Sequence, residues 1–132
     1  MKIFIDTNIF LDLILKREFY KEAMLLFNAI EKRMFAGYIA DITVLNIDYI
    51  AKKQIKDIRA FLNVVNKTFI INGATNDIVQ KALNIKNNDL EDNLQYLIAK
   101  ENGCTLIITN DKNFYAKDID ILSSLEFKEK YL

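Results

Sequence analysis

The chain has 132 residues, with 18 basic and 18 acidic side chains, one cysteine and no histidine, proline or tryptophan. At 52% apolar and 27% charged it can build the core of one domain over residues 1–132, and it lies away from the composition of disordered chains. The missing histidine excludes Ser-His-Asp and Cys-His nucleophile systems, an imidazole base and histidine-built zinc sites, while the lone Cys104 excludes an intramolecular disulfide and a four-cysteine zinc site.

Any chemistry must therefore run on carboxylates, amides, hydroxyls or lysines, and a reducing cytoplasm is the expected home. Asp6 interrupts the apolar stretch that a signal peptide would need there, and no apolar run approaches the ~20 residues of a membrane span.

In chain order, Lys2–Ile5 is a short β-rich run that predicts a buried strand ending at Asp6. Thr7 or Asn8 can cap a helix to about Leu15, on which Asp12 is expected to point away from Asp6 into solvent. Ala23, Phe27, Ile30 and Met34 at helical spacing predict a helix over Tyr20–Phe35 that stops before Gly37. Tyr38–Ala40 is a strand candidate. Thr43 then caps a helix to about Lys53, and another runs from Ile55 to Asn66.

Thr68–Ile71 predicts a strand ending at the Asn72-Gly73 turn, and Asn76 caps a helix to about Ile85. Asp89 caps a helix from Leu90 to Asn102, stopped by Gly103, with Leu90, Leu94, Leu97 and Ile98 as its expected buried face. Thr105–Ile108 is the clearest strand, followed by Thr109-Asn110-Asp111. A last strand over Ile119–Leu122 precedes a short helix opened by Ser123, with Glu126 in capping-box spacing.

Short strands separated by helices predict right-handed crossovers and an α/β fold with a short, mostly parallel central sheet flanked by helices. In such folds polar groups at the carboxyl ends of strands converge on one crevice. Asp6 and Thr109-Asn110-Asp111 stand at such ends, and Asp89-Leu90-Glu91-Asp92 opens a helix with Asp89 and Asp92 three residues apart. Each group has a plain structural explanation taken singly, as a cap, a first-turn acid or a turn pair. Together they form a cluster of like charges that calls for a cation. With only hard oxygen ligands that cation is Mg²⁺ or Mn²⁺, and phosphodiester hydrolysis is the chemistry it permits.

Four segments, Ile5–Asp12, Ile42–Ile47, Leu90–Tyr96 and Gly103–Asp111, occur in the order in which they resemble the PIN domain. The resemblance runs from Met1 to about Leu122 and is nearest to small bacterial VapC-type toxins of toxin–antitoxin pairs. It implies a single PIN-like domain acting as a Mg²⁺- or Mn²⁺-dependent endoribonuclease, with water rather than a side chain as the nucleophile. It carries the family's metal-holding acids onto Asp6, Asp92 and Asp111, with Thr7, Asn8, Thr109 and Asn110 in support. An antitoxin protein is the implied partner, a homodimer is allowed, and no membrane is involved.

There is one departure. Where the family usually has a second acid, a glutamate three residues after the threonine of the Ile-Thr segment, this chain has Asn46. Glu91 and Asp89 are the acids placed to compensate, whereas Asp48 lies about 200° round the helix from Asn46. Asn46 leaves open a second reading, a catalytically weakened module that binds RNA or a protein without cleaving. A phosphoacceptor domain of receiver type lacks its acidic pair here.

Charge is uneven along the chain: residues 1–67 carry 11 basic and 8 acidic groups, and residues 68–132 carry 7 and 10. Lys112, beside the acids, and Lys52, Lys53, Lys56 and Arg59 are candidates for contact with RNA phosphates, set against the plainer reading of a solvated helix face. Phe10, Leu11, Ile14, Phe19 and Tyr20 are candidates for a partner surface or, more simply, for the core.

Overall fold

The computed structural model describes all of residues 1–132. Along the chain run β1 (Lys2–Ile5), α1 (Thr7–Ile14), α2 (Tyr20–Glu31), β2 (Ala36–Ala40), α3 (Asp41–Ala51) and α4 (Ile58–Thr68). They are followed by β3 (Ile70–Asn72), α5 (Asn76–Leu83), α6 (Leu90–Glu101), β4 (Leu106–Ile108), β5 (Asp120–Leu122) and α7 (Ser124–Tyr131). The five strands form one sheet in the order β3-β2-β1-β4-β5. Every pairing is parallel, with Phe4 opposite Tyr38 and Ile107, and Ile108 opposite Leu122.

Side chains alternate across a strand, and here both faces are covered. Ile3, Ile5, Ile39, Leu106 and Ile108 point to one face, where they pack with Phe10, Leu26, Phe27, Ile47, Val65 and Phe127 from α1, α2, α3, α4 and α7. Phe4, Tyr38, Ala40 and Ile107 point to the other, against Ile78 of α5, Tyr96, Ile98 and Ala99 of α6, and Phe114. Phe10 and Leu11 are thus core residues, with Ile14, Phe19 and Tyr20 half-buried beside them. No helix is long and apolar enough to cross a membrane.

Several helix ends differ from the sequence reading, each for a local reason. The second helix stops at Glu31 because Arg33 adopts a left-handed conformation (φ 62°). Arg33 and Met34 then return their N–H groups to Ile30 and Ala29, which closes a Schellman end without glycine. Chain freed from that helix lets β2 begin at Ala36 rather than Tyr38. Lys16 (φ 51°) closes α1 in the same way, and Gly103 (φ 73°) closes α6 as expected.

α3 begins at Asp41, so Thr43 lies inside the helix and is no cap. Asp57 caps α4 by accepting the Ala60 N–H at 3.2 Å. Because α4 runs on to Thr68, β3 starts only at Ile70. Thr75, one residue before the expected Asn76, caps α5. The cap at Asp89 and the capping box of Ser123 and Glu126 form as read.

The buried face of α6 includes Ile98 as expected, with Leu94 and Leu97 half-buried against the same core, and adds Asp92, Asn93, Gln95, Tyr96 and Ala99; Leu90, expected there, is 43% exposed. Turning Asp92 inward turns Leu90 outward, since residues two apart lie about 200° apart around a helix.

Candidate active site

The strand order reverses at the boundary between β1 and β4, which is where an α/β sheet opens a crevice beyond its strand ends. Asp6 leaves β1 there with its N–H donated to Ile108 O at 3.0 Å, and Thr109 leaves β4 with its N–H donated to Leu122 O at 3.0 Å. Both are buried. The Thr109 hydroxyl donates to Oδ2 of Asp6 at 2.7 Å and accepts the backbone N–H of Asp111 at 3.1 Å. Asp111 in turn accepts the Asn113 N–H on Oδ1 at 2.9 Å, which fixes the loop after β4.

Asn110 faces the opposite way from its neighbours. Its amide donates to Oδ2 of Asp12 at 2.9 Å and to the Ser124 hydroxyl at 3.2 Å, and its carbonyl accepts the Ser124 N–H at 3.1 Å. Asp12, expected in solvent, is therefore buried, and burial raises its pKa against the lowering effect of Asn110. Asn110 supports the site as a clamp between α1 and the start of α7, outside the cleft itself.

From the other side α6 brings its acidic first turn. Asp89 Oδ1 accepts the Asp92 N–H at 3.0 Å, and a reciprocal amide pair between Asn87 and Asn93, 2.8 Å in both directions, anchors the loop before it. α3 is tied to α1 by a hydrogen bond between the Thr7 and Thr43 hydroxyls (2.9 Å), so Thr7 is engaged within the protein. One turn beyond Thr43, Asn46 donates its amide to Oε1 of Glu91. Asn46 thus meets an acid from α6 at the position where the resemblance calls for a glutamate and this chain has none.

These elements enclose a cleft of about 230 Å³ lined by Asp6, Thr7, Asn8, Leu11, Asn46, Ile50, Asp89, Glu91, Asp92 and Asp111. Five of the ten are acids and none is basic, so the local charge is strongly negative in a chain of zero net charge. The acids respond accordingly. Burial pushes Asp6 up, opposed by the Thr109 hydroxyl, the Gln95 amide and the Thr7 N–H, with Asp111 adding repulsion. Asp92 is pushed up to about 8, first by burial and then by Asp6 and Asp89. Burial, Asp6 and Asp89 raise Glu91, and Asn46 partly offsets them.

The donor set fits a hard divalent cation. One carboxylate oxygen from each of Asp89, Asp92 and Asp111 lies within 4.8 Å of the others, and Oδ2 of Asp92 is buried with no hydrogen-bond partner. Oxygen-only ligands around an unpaired buried carboxylate suit Mg²⁺ or Mn²⁺. Asp89 joins Asp92 and Asp111 in this triad. Asp6 lies against it, close enough to raise Asp92, with one oxygen already taken by Thr109.

None of the basic candidates lines the cleft. Lys112 is exposed next to Asp111. Lys52, Lys53 and Lys56 are exposed on the turns between α3 and α4 rather than on a helix face, and Lys52 sits over the Tyr49 ring at 6.0 Å. None of these joins an ion pair; the chain's two pairs are Lys81–Asp77 and Lys100–Asp118. Asp48 lines the groove between α3 and α4 with Arg59, away from the acids. Sequence reading missed Gln95, which lies fully buried one turn after Asp92; its three-residue spacing from that acid was the available signal.

Residues 2–113 match the family model of the PIN domain. The chain is 33% identical over 141 aligned positions to Ribonuclease VapC1 of Aquifex aeolicus (strain VF5), covering 98% of this chain and 95% of that one. Among solved structures, a toxin–antitoxin complex from Klebsiella pneumoniae superposes with a TM-score of 0.71 at 22% identity, over 92% of this chain and 97% of that one. VapBC2 from Rickettsia felis, bound to a DNA fragment from its promoter, gives a TM-score of 0.68 at 15% identity, over 93% and 98%. Matched by the family model over residues 2–113 and by a 33% identical relative across 98% of its length, the chain belongs to the PIN domain family.

Proposed function

We propose that this protein is a metal-dependent endoribonuclease, the toxin of a toxin–antitoxin pair, that hydrolyses RNA phosphodiester bonds. The observation that carries the proposal is the cluster of Asp89, Asp92 and Asp111 oxygens within 4.8 Å of one another, in a cleft with five acids and no base. A relative named as a ribonuclease across 98% of the chain supports RNA as the substrate. Structural neighbours solved as toxin–antitoxin complexes support an antitoxin partner. The lone buried Cys104 suits a reducing cytoplasm.

Asp92, Asp111 and Asp89 would hold Mg²⁺ or Mn²⁺, with Asp6 beside them. Bound there, the ion supplies charge neutralisation for the phosphodiester and a water of lowered pKa. The chain's own groups do the positioning. Thr109 fixes Asp6 and the Asp111 loop at once. Asn46 orients Glu91, which brings to the cleft the charge that position 46 lacks. Asn8, half-buried in the lining with its amide uncommitted, faces the space a substrate would enter, and Lys112 flanks it for a phosphate.

The test is incubation of the purified chain with single-stranded and structured RNA in Mg²⁺ or Mn²⁺. Cleavage of RNA that stops with EDTA supports the proposal. Cleavage indifferent to EDTA, or none with either ion in antitoxin-free protein, refutes it.

A further inference from the structure

Gln95 is 0% exposed, and neither its Nε2 nor its Oε1 has a hydrogen-bond partner. Its neighbours on α6 are Tyr96, Ile98 and Ala99, all packed in the core, so a leucine or methionine would suit the position by packing alone. Burying an unpaired amide is costly relative to satisfying it, and such groups in a folded protein mark strain or function.

One of the acids stands beside this amide on α6. Gln95 lies three residues after Asp92, on the same side of α6, and Oδ2 of Asp92 is the only other buried side-chain atom left unpartnered in the chain. Gln95 itself is absent from the cleft lining, which Asp92 joins.

We infer that Gln95 is a positioning residue for the cation site: its buried amide, one turn along α6 from Asp92, orients the unpartnered Asp92 carboxylate toward the cleft. This rests on the metal-dependent reading above. An uncharged donor suits the place, because a lysine would compete with the cation and an acid would add to the repulsion. Groups of this kind behind metal ligands are worth about 10–100-fold in metal affinity.

The experiment is Mn²⁺ titration by calorimetry on the full chain, the Gln95→Met and Gln95→Leu variants and Asp92→Asn, with thermal melting of each metal-free protein. Both Gln95 variants are expected to melt at or above the parent temperature and to bind Mn²⁺ about 10–100-fold more weakly. Affinity within about twofold of the parent in the variants would overturn the inference, leaving the metal site standing. So would a lower melting temperature, or failure to fold, in both variants, since the amide would then be holding the core. No Mn²⁺ binding by the parent would remove the metal-dependent reading and this inference together.

Discussion

Thr109 and Asp6 are 103 residues apart in the chain and joined by a 2.7 Å hydrogen bond across the β1–β4 seam. The same hydroxyl takes the Asp111 N–H at 3.1 Å, so one buried side chain sets the acid after β1 and the loop bearing the acid after β4. Thr109→Val keeps the shape and removes both bonds. A bond to a charged group is worth about 1.5–3 kcal/mol, so a fall in melting temperature of roughly 5–10 °C is expected, with cleavage reduced 10-fold or more. Thr109→Ser should recover most of both. Unchanged cleavage in the valine variant would show that the hydroxyl does not position the acids.

The metal-free protein should lose stability as pH rises. Asp92 moves from its ordinary 3.8 to about 8 in the fold, and Asp6 and Glu91 are raised as well. The folded state therefore binds more protons than the unfolded one over that interval, and stability present below about pH 4 fades up to about pH 8. Asp118 and Glu126 are lowered instead, and their contributions are lost only on acidification below their ordinary range, outside this window. Melting in EDTA should fall by several degrees from pH 5 to pH 8. Asp92→Asn should flatten that slope, and Mn²⁺ should reverse it at pH 8 by neutralising the cluster. A flat or rising profile in EDTA would contradict this account.

The pairing of Asn46 with Glu91 makes an exchange test possible. Asn46→Glu alone sets two carboxylates against each other and should destabilise the metal-free protein by about 1–2 kcal/mol at pH 7. Glu91→Gln alone should weaken Mn²⁺ binding. Combining the two restores one acid and one amide with places exchanged, and the double variant should regain stability and cleavage beyond the sum of the singles. Strict additivity in calorimetry and cleavage assays would mean that the two side chains do not act as a pair.

Asn110 should matter mainly to stability. Asn110→Ala leaves the buried Asp12 carboxylate unpaired and frees the Ser124 N–H at the start of α7. A loss of about 2–4 kcal/mol is expected, read as a fall of roughly 8–15 °C in melting temperature. Asp12→Ala in the same protein should cost little more, because its partner is already gone.

The strands and acids were legible in the sequence because both follow short rules. β1 and β4 are apolar β-branched runs that end at polar residues, and Asp89 and Ser123 are caps with their partners at the required spacing. The end of α2 was not legible, since Arg33 takes a left-handed conformation with no glycine to announce it. The burial of Asp12 depends on Asn110, 98 residues away, and local spacing carries no trace of that contact. α6 misled for a related reason: its leucines suggest one buried face, while the cleft draws Asp92 and Gln95 inward and leaves Leu90 outside. The substitution at position 46 was visible, but its pairing with Glu91 required the approach of α3 to α6.

The most direct measurement is RNA cleavage in Mn²⁺ by the parent, Asp6→Asn and Asp92→Asn, each shown by melting to be folded. The account predicts cleavage by the parent and a loss of at least about 100-fold in both variants, with Asp92→Asn also losing Mn²⁺ binding. Folded Asp6→Asn and Asp92→Asn proteins that cut RNA at the parent rate would contradict it.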